Sequence, residues 1–478
     1  MNRYEQLAYS LMEHIDSGAY RPGERIPGTR ELAAQFHVSI STVMQAQRLL
    51  ENRGYVEARP RSGYYVRWRG EQQALPPAGN STPSAPRLVE RKEMIMRVVA
   101  AAARQDAVQL GAAVPDNQFL PLHALQKSTA RVVRQEFGDC AAYSLPPGDT
   151  ELRRQIARRM VYAGVVCQPD DIVITNGCHE ALLLALQVLT RPGDVVAVES
   201  PVYYGLLQLI EAQGLKALEI PCDPGEGMSL GALEMACQQW PVKVCILVSN
   251  FSNPLGDCFA EHKKDALLEL LQRFSVPLIE DDIYGELYFG KERPWAIKAR
   301  DKHHQVIYCS SYSKTIAPGA RIGWLVAPHL HSLLSYEKFA RSLACPALTQ
   351  RAVARYLESG DYDRCLRQVR GQYALQVERM RQQILNSFPA GTRVSQPGGG
   401  FMLWVQLPRE RDAMRLTRLA IREGISISPG QLFSTTDNYR HCLRLNCALP
   451  WTPALVQALL KLALLAQQLS SEAEAQTV

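Results

Sequence analysis

No uninterrupted apolar run in the 478 residues approaches the roughly 20 needed to cross a bilayer, so no membrane-spanning segment is expected. The opening Met1-Asn2-Arg3-Tyr4-Glu5-Gln6 lacks the apolar core of a secretion signal, and the expectation is a cytoplasmic chain. CxxC pairs and paired Cys/His spacings are both missing among the 12 cysteines, which predicts buried thiols and neither a disulfide framework nor a metal site. No internal repeat is visible. Charge of one sign is also scarce: the net charge is +6, with 21% charged and 46% hydrophobic residues, which excludes wholesale disorder and a fibrous chain. What the chain does have is length, enough for two to four units at about 100–200 residues each.

The first segment reads as a small DNA-binding unit. Leu7, Leu11, Met12 and Ile15 recur at helical spacing, with Gly18 closing the helix. Arg21-Pro22-Gly23-Glu24 predicts a turn, and a second helix is expected from Thr29, as N-cap, to about Phe36. After His37-Val38-Ser39 a third helix turns Val43, Leu49 and Leu50 inward. Gly54-Tyr55-Val56 and Gly63-Tyr64-Tyr65-Val66 then predict a hairpin with Arg59, Pro60, Arg61 and Ser62 at its tip. Three helices and a basic hairpin make a winged helix-turn-helix. Residues 1–70 hold ten arginines against seven acids, and half of those arginines lie between Arg53 and Arg69. Charge alone describes a solvated basic surface equally well.

The order of residues resembles the N-terminal domain of GntR-type bacterial regulators. Pro22-Gly23, Ile26-Pro27-Gly28-Thr29-Arg30, Leu32-Ala33, Val38-Ser39-Ile40-Ser41-Thr42-Val43 and Ser62-Gly63 stand where that family has its pattern, across residues 4–66. The resemblance implies double-stranded DNA as partner, with Arg30 at phosphate or base, Ser41 and Thr42 opening the recognition helix, and Arg61, Ser62 and Gly63 in the wing. Relatives often carry a guanine-reading arginine where this chain has Ile40, which moves the expected readout to Thr42, Gln45 or DNA shape.

Residues 71–86 hold four prolines and almost no core-forming side chains, and predict a linker. A short helix is expected near Val89–Arg104, within a joining stretch at 71–105. From residue 106 onward, Ile172–Thr175, Val195–Val198, Val244–Val248, Pro277–Glu280 and Val306–Cys309 form short apolar runs spaced by helical stretches, the pattern of a mostly parallel α/β sheet covered on both faces. The last part, about 330–478, is helical with strand candidates at Phe401–Leu407 and Cys442–Leu445, and predicts a smaller α+β subdomain.

Each strand end carries chemistry. Thr175-Asn176-Gly177-Cys178-His179-Glu180 leads from strand to helix and offers free amides to a phosphate. Asn253-Pro254-Leu255-Gly256 follows another strand, Glu280-Asp281-Asp282-Ile283-Tyr284 ends the next, and Ser311-Tyr312-Ser313-Lys314 is followed by Arg321. An amine, a carboxylate, a phenol, an amide and a phosphate cradle at the ends of one sheet suit pyridoxal phosphate.

This order resembles fold-type I aminotransferases over about 110–465. The resemblance implies that Lys314 forms the Schiff base, that Asp281 holds the pyridine nitrogen protonated, and that Tyr284 and Asn253 bond the ring oxygen. Tyr203 would stack on the ring, with Ser311, Ser313, Arg321 and the amides of Cys178 and His179 at the phosphate. Tyr143 would reach the phosphate of a partner subunit, which implies a homodimer. Arg444, in Leu443-Arg444-Leu445-Asn446, would bind an effector carboxylate as a bidentate pair. The two halves together resemble the MocR (GabR-like) regulators. The implied function is transcription regulation in which a small amine or amino acid, or the cofactor itself, is sensed by aldimine exchange at Lys314. An active aminotransferase carrying a DNA-binding domain is the alternative.

Overall fold

The computed structural model describes residues 2–16, 20, 24–53, 55–59, 62–66, 83–90, 92, 96 and 107–469. The chain divides into two compact units, 1–73 and 74–478. Gly18, the 21–23 turn, Arg61, most of the 71–86 linker and nearly all of the helix expected at Val89–Arg104 lie outside the described residues.

In the first unit, α1 (Arg3–Asp16), α2 (Thr29–Gln35) and α3 (Ile40–Asn52) precede an antiparallel hairpin, β1 (Val56–Arg59) with β2 (Gly63–Val66), paired from Val56↔Val66 to Arg59↔Gly63. Leu7, Leu11, Met12, Ile15, Leu32, Val43, Leu50, Val56 and Val66 share one buried core. The helical and alternating spacing of these residues gathers the apolar side chains onto single faces. The cap of α2 differs from expectation by one residue. Gly28, not Thr29, is the N-cap, and its amide donates to Glu31 Oε2 at 3.3 Å. The Thr29 hydroxyl instead donates to Gln47 Oε1 at 3.0 Å and ties α2 to α3.

In the second unit the large sheet runs β3 (Arg87–Leu88), β6 (Lys216–Asp223), β5 (Val195–Ser200), β7 (Val242–Val248), β8 (Leu278–Asp281), β9 (Val306–Ser311), β10 (Gly323–Val326), β4 (Ile172–Thr175). The inner pairs β6/β5, β5/β7, β7/β8 and β8/β9 are parallel. β10 is antiparallel to both its neighbours, and β3 to β6, so the sheet is mixed. All five expected strands are present; β6 and β10 were not expected. β6 carries Lys216, Glu219, Pro221 and Asp223, and β10 is only four residues long, so neither shows a clean apolar run. β3 lies inside the stretch read as linker, and Val89 beside it is buried in the large core.

A smaller antiparallel sheet has the order β11 (Arg393–Val394), β12 (Met402–Gln406), β14 (Cys442–Asn446), β13 (Ser428–Pro429). Its core starts at Val377 and also recruits Leu110, while helices at His331–Ser342 and Ala347–Glu358 pack on the larger cores. One 27-residue helix, Asp361–Ser387, joins the two cores: Tyr362, Leu366, Val369 and Tyr373 lie in one, Val377, Met380 and Ile384 in the other.

Beneath the strand ends, Asp282 is 2% exposed and pairs with the guanidinium of Arg293 at 2.5 Å, while accepting from Asn250 at 2.8 Å and Tyr308 at 2.9 Å. Removing one partner of a buried pair leaves an uncompensated charge. Arg293→Met should lower unfolding free energy by about 3–5 kcal/mol, and Asp282→Asn in the same chain should recover most of it, as read by denaturant titration. A double variant no more stable than Arg293→Met alone would show that the pair is not what holds this region.

Candidate functional site

Five strand ends converge on a cavity of about 260 Å³ whose wall includes Cys178, His179, Tyr203, Asn253, Asp281, Tyr284, Ser313, Lys314 and Arg321. They come from separate stretches of sequence, and it is the register of β4, β5, β7, β8 and β9 that places their ends together. Ala113, Val114, Leu182, Val248, Ile283 and Pro318 complete the wall.

Asp281 lies on the cavity side of β8. Its Oδ1 accepts from Cys178 Sγ at 3.3 Å and from the Ile283 amide at 3.1 Å. Burial raises its carboxyl to about 6, against those hydrogen bonds. Burial lowers the Lys314 amine to about 8, helped by the nearby Arg444 charge. Lys314 Nζ donates to the Ala113 carbonyl at 2.6 Å. Burial raises the Tyr284 hydroxyl, and Asn253 hydrogen-bonds it. The Asn253 side-chain oxygen also accepts from Arg444 Nη1 at 2.8 Å. Amine, acid, phenol and amide thus line one cavity, two of them with proton affinities moved toward neutrality.

Cys178 and His179, at the start of a helix, stand on the same wall. The helix Cys178–Leu189 begins at Gly177, and its first amides have no intrahelical acceptor. Gly177 has φ 90°, and a Cβ there would run into the Arg321 guanidinium. Arg321, itself left-handed at φ 50°, donates through Nη2 to the Asn176 carbonyl at 2.7 Å. Gly323 is needed for the same reason, since a Cβ there would overlap the Gly177 backbone. Tyr203 is placed by a further close approach: a Cβ on Gly205 would strike its ring.

Three expected residues do not line the cavity. Ser311 is buried beside it, its Oγ accepting from the Ser313 amide at 3.3 Å. Arg444 is fully buried behind Asn253, donating also to the Gly111 carbonyl and, at 3.3 Å, to Ser428 Oγ. Tyr143 is 76% exposed and is not on the cavity wall of its own chain. Sequence reading missed Gly111, Ala113 and Ser428. The first two act through backbone carbonyls, which no side-chain pattern can signal.

In the first unit, Arg30, Ser41 and Gln45 are exposed, and Thr42, Ser62 and Gly63 half-buried. Ser39 caps α3, accepting from the Thr42 amide at 3.1 Å, and its Oγ lies 2.8 Å from both the Ser41 and Thr42 hydroxyls. Gly63 has φ 107° and packs against the Arg25 guanidinium. Arg61 is outside the described residues. Among the described residues, no cluster of His, Cys, Asp and Glu could hold a metal, and no helix is long and apolar enough to cross a membrane.

Residues 106–461 match the aminotransferase class I and II family, and residues 3–66 the gntR family of bacterial regulatory proteins. The chain is 40% identical to the HTH-type transcriptional regulator YjiR of Escherichia coli K12, over 96% of this chain and 97% of that one. Among solved structures it is similar to the kynurenine aminotransferase of Pyrococcus horikoshii, crystallised with PMP (TM-score 0.73, 28% identity, 80% of this chain and 95% of that one). It is also similar to LysN, the alpha-aminoadipate aminotransferase of Thermus thermophilus, complexed with N-(5'-phosphopyridoxyl)-L-leucine (TM-score 0.72, 26% identity, 80% of this chain and 99% of that one).

A lysine lowered to about 8 is mostly neutral above that pH and mostly charged below it. In protein stripped of any cofactor, reductive methylation of Lys314, followed by mass spectrometry, should rise with a midpoint near pH 8, while exposed lysines follow their usual value of about 10.4. A midpoint for Lys314 close to that of the exposed lysines would contradict the environment described.

Proposed function

This chain belongs to the GntR-type regulators that carry an aminotransferase class I and II domain, the MocR architecture, and from that premise we propose that it is a DNA-binding transcriptional regulator whose large unit senses a small amine or amino acid with the help of pyridoxal 5'-phosphate. The observation that carries this reading is the meeting of Lys314, Asp281, Tyr284, Asn253 and Arg321 around one cavity in a chain that also carries a gntR-family reader.

The residues fit the cofactor. Two glycines, Gly177 and Gly323, let the Arg321 guanidinium and the helix start at Cys178 come close together, a pairing of cation and free amides that would suit an anion. Bound pyridoxal phosphate supplies an aldehyde that captures primary amines reversibly and a ring that draws electron density from them. Lys314 would hold it through Nζ, and its lowered proton affinity keeps the amine available as a nucleophile near neutral pH. The Asp281 carboxylate would face the ring nitrogen, and a proton held there restores the charge partner that burial denies the acid. Tyr284 and Asn253 would bond the ring oxygen, and Tyr203 would cover one ring face. Ser311, Ser313, Arg321 and the amides of Cys178 and His179 would hold the phosphate. Relatives often have a hydroxyl and an amide side chain at 178 and 179, so backbone carries more of that grip here.

Arg444 would take an effector carboxylate. Its guanidinium already has an acceptor in the Gly111 carbonyl, so an effector competes with the segment at 111–113. That segment follows closely after the joining stretch in the sequence, which gives effector occupancy a covalent path toward DNA binding. Tyr143, exposed in its own chain, would complete the partner's site in a homodimer. The reader would bind operator DNA in the cytoplasm through Arg30, Ser41, Thr42, Gln45, Arg61, Ser62 and Gly63.

The purified, cofactor-loaded protein should show a visible absorbance band that Lys314→Ala removes. Titration with amines and amino acids should shift that band to a new stable position for the effector class. Repeated turnover of an amino donor with an oxo acid would instead assign a working aminotransferase, and an amine-insensitive band would overturn amine sensing.

A further inference from the structure

α3 presents one unusual face to solvent. Val43, Ala46 and Leu50 point into the core with no exposure, as does Gln47 at 2%. Flanking that buried face, one residue per turn, run Ile40, Met44 and Arg48. Ile40 is 51% and Met44 48% exposed, although both are large and apolar. The hydroxyls of the neighbouring Ser41 and Thr42 are turned back on the Ser39 cap, 2.8 Å from its Oγ. On this stripe the exposed side chains at the start of the helix are hydrocarbon, with a cation one turn further on.

We propose that Ile40 and Met44 are specificity residues that read thymine through its 5-methyl group in the major groove. This rests on the DNA-reading assignment above. The thymine methyl is the one apolar feature of a major-groove base edge, so an apolar pair at the helix start selects for it and gains nothing from guanine or cytosine. The occupant is DNA and not a protein, because the stripe ends in Arg48 and the neighbouring α2 exposes Arg30, cations suited to the flanking phosphates.

The test starts by selecting duplexes from a random-sequence pool with the full-length, cofactor-loaded protein. Single thymines in the winning duplex are then replaced by deoxyuridine, which removes only the methyl group. Affinity should fall about fourfold at one or two positions per half-site, the effect of exposing one buried methyl. Ile40→Ser and Met44→Ser, both on the exposed face, should each abolish the thymine preference at one position while still binding the deoxyuridine duplex. Equal affinity for thymine and uracil everywhere overturns the inference. So does an equal loss on both duplexes in the variants, which would mark the stripe as a general contact or a protein-binding patch. A pool that yields no enriched duplex overturns the DNA-reading assignment itself.

Discussion

Three consecutive carboxylates, Glu280, Asp281 and Asp282, are buried at the end of β8 with exposures of 0%, 6% and 2%. Burying like charges side by side is expensive unless each is met separately, and strand alternation makes that separation feasible. Glu280 turns to one face and accepts the amides of Ile297 at 2.7 Å and Lys298 at 2.8 Å, its carboxyl raised to about 7 by burial and by Asp282. Asp282 is neutralised by Arg293. Of the three, Asp281 lines the cavity, with a thiol and one amide as hydrogen-bond donors and the Lys314 charge nearby. Lys314, Tyr284 and Arg321 line the same cavity.

The second constraint is space. Gly177, Gly323 and Gly205 let Arg321, the helix start and Tyr203 approach closely on one side of the cavity. At each of the three, the space a Cβ would take is occupied by another part of the protein: a guanidinium, a backbone or a ring.

Much of this was legible in the sequence because strand ends in α/β sheets collect functional groups, so finding the apolar runs already pointed to Asn253, Asp281, Tyr284 and Lys314. The reader was legible for a different reason, the coincidence of helical spacing with turn residues in fixed order. What escaped was set by tertiary context. β10 runs antiparallel inside a largely parallel sheet, and four residues cannot announce their direction. Gly111 and Ala113 act through carbonyls. Thr29 sits one residue inside the cap at Gly28, its hydroxyl bonded to Gln47 eighteen residues on, a partner that local spacing does not reveal. The burial of Arg444 behind Asn253 depends on a register between β14 and its neighbours that sequence does not encode locally.

If occupancy of the large unit controls the reader, as proposed, DNA affinity and ligand occupancy move together. The most direct measurement follows the affinity of the cofactor-loaded protein for a selected duplex while an effector amine is titrated and the cofactor absorbance is read in the same sample. DNA affinity should change at the amine concentration at which the absorbance shifts, and Lys314→Ala should remove both responses. A constant DNA affinity across the full spectral transition would contradict it.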